Sequence, residues 1–310
     1  MDVLNWLLDS DPAIRWQVLG DLADAPANEI SAERHRVATH GWGVRLLQLQ
    51  GTDGQWAGAT YWPADDDDPN SQPWTATTYS LLLLRDFGLD PVSPEARHAI
   101  TLVRDNSRWE AANQLFFEGE IEPCVNGMAV ALGAYFSENV DPVVERLGRE
   151  QLADGGWNCE AEIGSRRSSF HTTICVLEGL LEHERSTGGT SQSRQARRRG
   201  EEYLLERVLL RGKSSGEVIS PDWLQFSYPT RWYFDVLRGL DYFRATGCNP
   251  DERMSEAVDV VRSKQQPNGT WLLENTHPGR VHFALEAGDG QPSRWNTLRA
   301  LRVFKWFDGL

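Results

Sequence analysis

The chain has 310 residues and is 40% hydrophobic, enough to bury a large core, either as two ordinary domains or as one large closed one. Its 45 acidic against 31 basic side chains give a formal charge of -14, which repels phosphate backbones and argues against general nucleic-acid binding. No uncharged run approaches the ~20 residues of a membrane span, and the acidic start "MDVLNWLLDSDP" is unlike a secretory signal, so a soluble, cytoplasmic protein is expected.

In chain order, an apolar helix opening near a proline or serine recurs. The copies are "DPAIRWQVLGDLADAP" from Asp11, "QPWTATTYSLLLLRDFG" from Gln72, "EPCVNGMAVALGAYF" from Glu122, "SSFHTTICVLEGLLEH" from Ser168, "YPTRWYFDVLRGLDYF" from Tyr228 and "QPSRWNTLRALRVFKWF" from Gln291. Between them, amphipathic helices are predicted near 33–49, 94–105, 141–151, 194–209 and 251–265, with the stretch 2–9 completing that set. Each hairpin of one apolar and one amphipathic helix buries its apolar face only against its neighbours. The alternation therefore predicts an all-α chain in which six apolar helices form an inner barrel wrapped by an outer layer, a single domain over 1–310. An open solenoid satisfies the same pattern, but six inner helices match closure.

A second periodic signal precedes the inner helices. Q-x-x-x-G-x-W occurs as "QGTDGQW" from Gln50, "QLADGGW" from Gln151 and "QQPNGTW" from Gln265, with degenerate copies ending at Trp109 and Trp223. Gly, Asn and Asp supply the freedom that a turn needs, and the Trp anchors it against neighbouring helices. These turns resemble those of the terpenoid cyclase and protein prenyltransferase superfamily, which includes squalene cyclases and prenyltransferase β subunits. The resemblance covers nearly the whole chain and implies an (α/α)6 toroid. It further implies an enzyme acting on an apolar, isoprenoid small molecule in a central cavity.

Polar residues at the N-terminal ends of the inner helices would face the mouth of such a cavity. There, "EPC" resembles the Asp-x-Cys pair of prenyltransferase β subunits, with Glu122 for the aspartate, and "FHTTIC" resembles their histidine segment. The resemblance implies Zn²⁺ on Glu122, Cys124 and His171 and a catalytic role for His171 and Cys124 in prenyl transfer to a thiol or other small acceptor; beside it, Cys159 in "GGWNCE", on the loop before the histidine's helix, is a candidate extra donor. His171, Cys175 and Glu178 share one stripe of their helix. The competing reading makes His171 an ordinary cap and Cys124 a core thiol; Cys175 and Cys248 are read as core thiols. Four scattered cysteines are too few for a disulfide scaffold.

Arg15, Arg231 and Arg294, each followed by Trp (Trp16, Trp232 and Trp295), open three inner helices and would bind an anionic substrate end, with Tyr233 extending an aromatic wall. Mg²⁺ would accompany a diphosphate. The alternative for these arginines is a ring of inter-helix salt bridges, in which Glu178 pairs with Arg238. The run "ADDDDP" contains the Asp-x-Asp-Asp spacing of squalene cyclases at Asp65, Asp67 and Asp68, but "SQPW" separates it from Thr75-Ala76, and a solvated loop is the plainer reading. "STGGTSQSRQARRRGEE" reads as a flexible loop running into a basic outer helix. Two other classes fit the same composition: a metal-free carbohydrate-active enzyme using paired carboxylates such as Asp235 and Glu178, and a non-catalytic lipid- or protein-binding toroid.

Overall fold

Small polar residues and prolines decide where the helices begin. The side chains of Asp2, Asp11, Ser93, Ser169, Asp235 and Ser293 each accept a hydrogen bond from a backbone N–H of the first turn that follows them. Proline occupies the first turn of the helices beginning at 12, 94, 123 and 141, where its missing N–H costs nothing. The protein is described by a computed structural model covering residues 2–64 and 72–309. Its helices are α1 (Val3–Leu8), α2 (Pro12–Asp21), α3 (Ala27–His35), α4 (Gly41–Leu47), α5 (Thr77–Phe87), α6 (Pro94–Asn106), α7 (Pro123–Tyr135), α8 (Asp141–Glu150), α9 (Phe170–Thr187), α10 (Ser191–Leu205), α11 (Val236–Ala245), α12 (Ser255–Ser263) and α13 (Arg294–Phe307). A two-residue antiparallel pair joins β1 (Trp271–Leu272) to β2 (Pro292–Ser293). The chain is thus all-α, as expected. Among the described residues no helix is long and apolar enough to cross a membrane.

The chain divides into two compact units. The first comprises 1–36, 204–277 and 283–310, and the second 37–203 with 278–282. In the second unit the expected contrast between apolar and amphipathic helices is plain: α5, α7 and α9 are buried over most of their length, whereas α6 and α8 bury one stripe. In the first unit, α13 lies beside both α11 and α2, so the first and last apolar helices of the chain are neighbours.

The Q-x-x-x-G-x-W turns are built alike. The indole N–H of Trp56, Trp157 and Trp271 donates to the carbonyl of Leu46, Leu147 and Val261 at 2.8, 2.7 and 2.7 Å. Their backbone N–H groups donate to the hydroxyls of Thr77, Thr173 and Thr297 at 3.1, 3.0 and 2.9 Å, which ties each turn to the apolar helix that follows it. The turn glycines Gly54, Gly155 and Gly269 have φ of 84°, 101° and 83°, the left-handed region that excludes most side chains. All three tryptophans are fully buried, so each turn satisfies its polar groups and contributes a large apolar side chain to the core.

Two boundaries differ from expectation. The helix predicted over 33–49 is two helices, α3 and α4, because the chain passes through a short 3-10 turn at Arg36–Ala38 and an extended His40. The helix predicted from Tyr228 begins only at Val236, because Asp235 caps it there and Arg231 lies in a left-handed turn at φ 57°. Arg231 therefore precedes its helix rather than opening it.

Candidate functional site

In the second unit, the approach of α7 to α9 sets the site. Gly127 and Gly179 meet at the crossing: a Cβ on Gly127 would stand 2.5 Å from the Cys175 carbonyl oxygen, so only glycine lets the backbones come this close. Cys124 lies one turn before Gly127 and is carried to the same end of α9. The loop leading into α7 is clamped from both sides. Asn126 accepts from the Glu120 N–H at 2.7 Å and donates to the Glu120 carbonyl at 2.8 Å, while Arg146 of α8 donates to the carbonyls of Glu120 and Ile121 at 2.5 and 2.8 Å. Glu122 and Cys124 follow directly from this clamp.

Cys159 arrives from the turn after Trp157. Asn158 accepts from the Glu160 N–H at 2.9 Å and donates to Ser165 Oγ and the Arg167 carbonyl at 3.1 and 2.7 Å, which folds the segment 159–167 back on itself. The result is a cluster in which the carboxylate of Glu122 and the thiols of Cys124 and Cys159 all lie within 4.8 Å of one another. Cys124 Sγ is 2.9 Å from Cys159 Sγ and 3.5 Å from Glu122 Oε2, and Thr172 Oγ1 lies 3.4 Å from Cys159 Sγ. Both cysteines are half-buried and Glu122 is exposed.

Either thiol can carry the hydrogen they share. That hydrogen bond, with help from Thr172 and against burial, holds Cys159 below the ordinary thiol range. The same bond, together with burial and the negative charge of Cys159, pushes Cys124 well above it. Two thiols and a carboxylate are a donor set suited to Zn²⁺ that leaves a coordination position open; thiols do not suit Mg²⁺, which takes oxygen ligands.

A pair of phenols, Tyr79 buried and Tyr61 half-buried, adjoins the cluster. Tyr61 and Tyr79 share a hydroxyl–hydroxyl bond of 3.0 Å, with ring centroids 5.6 Å apart. Burial pushes both phenols far above their usual range, and negative charge on Cys124 or Cys175 would push them further. They remain neutral donors at any physiological pH.

The residues expected from the sequence are distributed as follows. Glu122, Cys124 and Cys159 come together. His171, the second residue of α9 and half-buried, is not in that cluster. Cys175 is buried one turn further along α9, and Glu178 contributes with Asp86 and Glu182 to holding Arg85 charged against burial. Cys248 is exposed rather than a core thiol. The acid run at 65–68 lies outside the described residues.

The first unit holds the arginine set. Arg15 donates to the Ser10 carbonyl at 2.5 Å and to Glu33 Oε1 of α3 at 2.7 Å. Arg294 donates to the carbonyls of Trp6 and Asp9 at 3.3 and 3.0 Å and stacks over the Trp6 ring at 4.7 Å. Both guanidinium groups therefore staple the end of α1, a C-terminus that attracts cations. Trp232 stacks on Tyr233 at 3.7 Å, and Tyr233 on His277 at 4.1 Å. Arg238 donates to the carbonyls of Arg231 and Tyr233 at 3.1 and 2.6 Å and so fixes that turn. Trp295 stacks on Tyr228 at 4.3 Å. Asp235 caps α11, accepting from the Arg238 N–H at 2.7 Å, with Arg299 at 3.9 Å.

Tyr61, Tyr79, Thr172, His277 and His282 were not singled out by sequence. His282 Nε2 meets the buried Ser80 Oγ of α5 at 2.9 Å, in a stretch without helical period. For Tyr79 a signal existed: aligning Thr77 with Thr173, the two residues that receive the Trp N–H, sets Tyr79 level with Cys175.

No family model and no curated protein matches the chain. Among solved structures it is similar to the type II terpene cyclase MstE from Scytonema, at 16% identity and a TM-score of 0.43 over 94% of this chain and 86% of that one. It is also similar to a protein from Actinoplanes, at 14% identity and a TM-score of 0.44 over 96% and 90% of the two chains.

Proposed function

We propose that the protein is an enzyme that takes an apolar, isoprenoid small molecule at the N-terminal ends of α7 and α9 and holds Zn²⁺ there on Glu122, Cys124 and Cys159. The observation that carries this reading is the convergence of two thiols and one carboxylate within 4.8 Å, beside the hydrogen-bonded pair Tyr61 and Tyr79. The isoprenoid class rests on the resemblance of the repeat turns. Bound zinc would supply a positive charge that lets an acceptor thiol or hydroxyl lose its proton near neutral pH, as prenyl transfer to a small acceptor requires.

The chain's own residues would do the rest. Asn126 and Arg146 hold the loop that presents Glu122, and Asn158 holds the loop that presents Cys159. Tyr61 and Tyr79 offer neutral hydroxyls and aromatic faces, which stabilise positive charge developing on a hydrocarbon. Arg15 and Arg294 are engaged by the end of α1, so an anionic substrate end would be met by other cations, and Mg²⁺ would enter only on the oxygens of a diphosphate.

Elemental analysis of untagged protein tests the reading. About one zinc per chain is expected, falling roughly tenfold or more in Cys124→Ser and in Cys159→Ser. His171→Ala should keep its zinc. A folded wild type that retains no zinc after exposure to it and removal of the excess sinks the metal site.

A further inference from the structure

The two thiols of the cluster stand in a relation that metal binding alone does not require. Cys124 is the second residue of α7, while Cys159 begins the turn before α9, yet their sulfurs are 2.9 Å apart with no residue between them. Both are held there by other parts of the chain: Cys124 through the Asn126 and Arg146 clamp, Cys159 through Asn158. Both are half-buried, and Glu160, the neighbour of Cys159, is exposed, so the pair is open to a small reagent. The remaining cysteines are differently placed, Cys175 being buried in α9 and Cys248 exposed in the other unit.

We propose that Cys124 and Cys159 form a reversible disulfide that switches the site off, with a low-molecular-weight disulfide such as oxidised glutathione as the oxidant. Cys159, losing its proton, attacks one sulfur of the oxidant, forming a mixed disulfide and releasing one thiolate. Cys124, losing its proton, then attacks the Cys159 sulfur, forming the protein disulfide and releasing the second thiolate. The two protein thiol hydrogens end on the two small thiols, so the oxidant is reduced by two electrons and the protein oxidised by two. The intramolecular second step is fast because its two sulfurs are already in place. Oxidation consumes two of the three donors, so disulfide and zinc exclude one another. The metal half of this inference rests on the proposed zinc site, whereas the disulfide rests on the sulfur geometry alone.

The test uses the full chain, reduced and freed of metal, then exposed to oxidised glutathione and mapped by peptide mass spectrometry. The expected result is one Cys124–Cys159 cross-link, reversed by dithiothreitol, still formed in a Cys175→Ser/Cys248→Ser variant, and absent from Cys159→Ser. Zinc retention after oxidation should be at least about tenfold below that of the reduced protein. A persistent glutathione adduct on either cysteine, or no reaction while the exposed Cys248 is modified, overturns the proposal. Oxidised protein that keeps its zinc does the same. If the cross-link forms but neither state binds zinc, the thiol switch stands and the metal reading falls.

Discussion

Tyr61 and Tyr79 satisfy each other's hydroxyls where water does not reach Tyr79 freely, at 1% exposure. Removing one hydroxyl strands the other in a buried setting, which costs more than the bond itself contributes. Tyr61→Phe should therefore destabilise the protein by about 1–3 kcal/mol, by the usual penalty for a buried polar group left without its partner. Zinc content should stay at the wild-type level, since neither hydroxyl belongs to the donor cluster. Urea denaturation and metal analysis of the same preparation check both halves, and loss of metal with unchanged stability would place Tyr61 among the donors. The arginines show the opposite economy at this scale. Arg15 and Arg294 look like substrate ligands in a sequence because each opens an apolar helix, but a backbone carbonyl leaves no mark in the sequence, and Arg15 binds the Ser10 carbonyl and Glu33 while Arg294 binds the carbonyls of Trp6 and Asp9.

Among the elements, the crossing of α7 and α9 governs the site. Gly127→Ala puts a methyl group 2.5 Å from the Cys175 carbonyl oxygen and 2.7 Å from Val176 Cα, and neither backbone atom can turn aside as a side chain would. The helices must separate, at a cost of about 1–3 kcal/mol for overpacking, and Cys124 moves away from Cys159 with them. We expect a lower melting temperature together with loss of zinc and of the Cys124–Cys159 cross-link. A variant that melts earlier yet keeps both would show that the cluster does not depend on this crossing. Such crossings are hard to read beforehand, because a glycine inside an apolar run looks like any small core residue. The repeat turns were legible for the opposite reason: glutamine, glycine and tryptophan recur together, and the three strict copies share their hydrogen bonds. Their threonine partners lie at different distances along the chain, so a fixed-spacing motif passes over them. Glu122 and Cys124 were legible because they flank a proline at a helix start, whereas Tyr61 reaches the site from a loop whose path only tertiary packing decides.

Across the whole molecule, stability against acid depends on how carboxylates withdrawn from water are charged, and two in the first unit, the half-buried Asp241 and the buried Asp235, respond in opposite directions. Asp241 of α11 accepts from Arg244 Nε at 2.7 Å and has Arg299 Nε at 3.8 Å, next to Arg302, which is bound to Asp21 and Gln17 of α2. Burial alone would raise its pKa, but Arg244, Arg302 and Arg299 outweigh burial and hold it below the usual carboxylate range. Below the unfolded value of about 3.9 the unfolded chain therefore binds more protons at this position than the folded one, and the stability that Asp241 contributes is lost as pH falls through its depressed native pKa. Asp235 has the reverse sign: burial outweighs Arg299 and its backbone donors and raises its pKa, so its ionisation costs stability as pH rises from the unfolded value through the native one. Asp241→Asn leaves Arg244, Arg299 and Arg302 short of a counter-charge and should cost about 2–4 kcal/mol at neutral pH, less than the roughly 3–5 kcal/mol of a fully buried pair because the Asp241 side chain is 23% exposed, with the deficit shrinking below about pH 4 as the wild type also protonates. Asp235→Asn keeps a residue that caps helices equally well and should stay within about 1 kcal/mol of wild type. Urea midpoints of the three proteins, compared at neutral pH and at about pH 3.5, decide the matter: an Asp241→Asn deficit that does not narrow in acid would mean that the three arginines do not set the charge of Asp241.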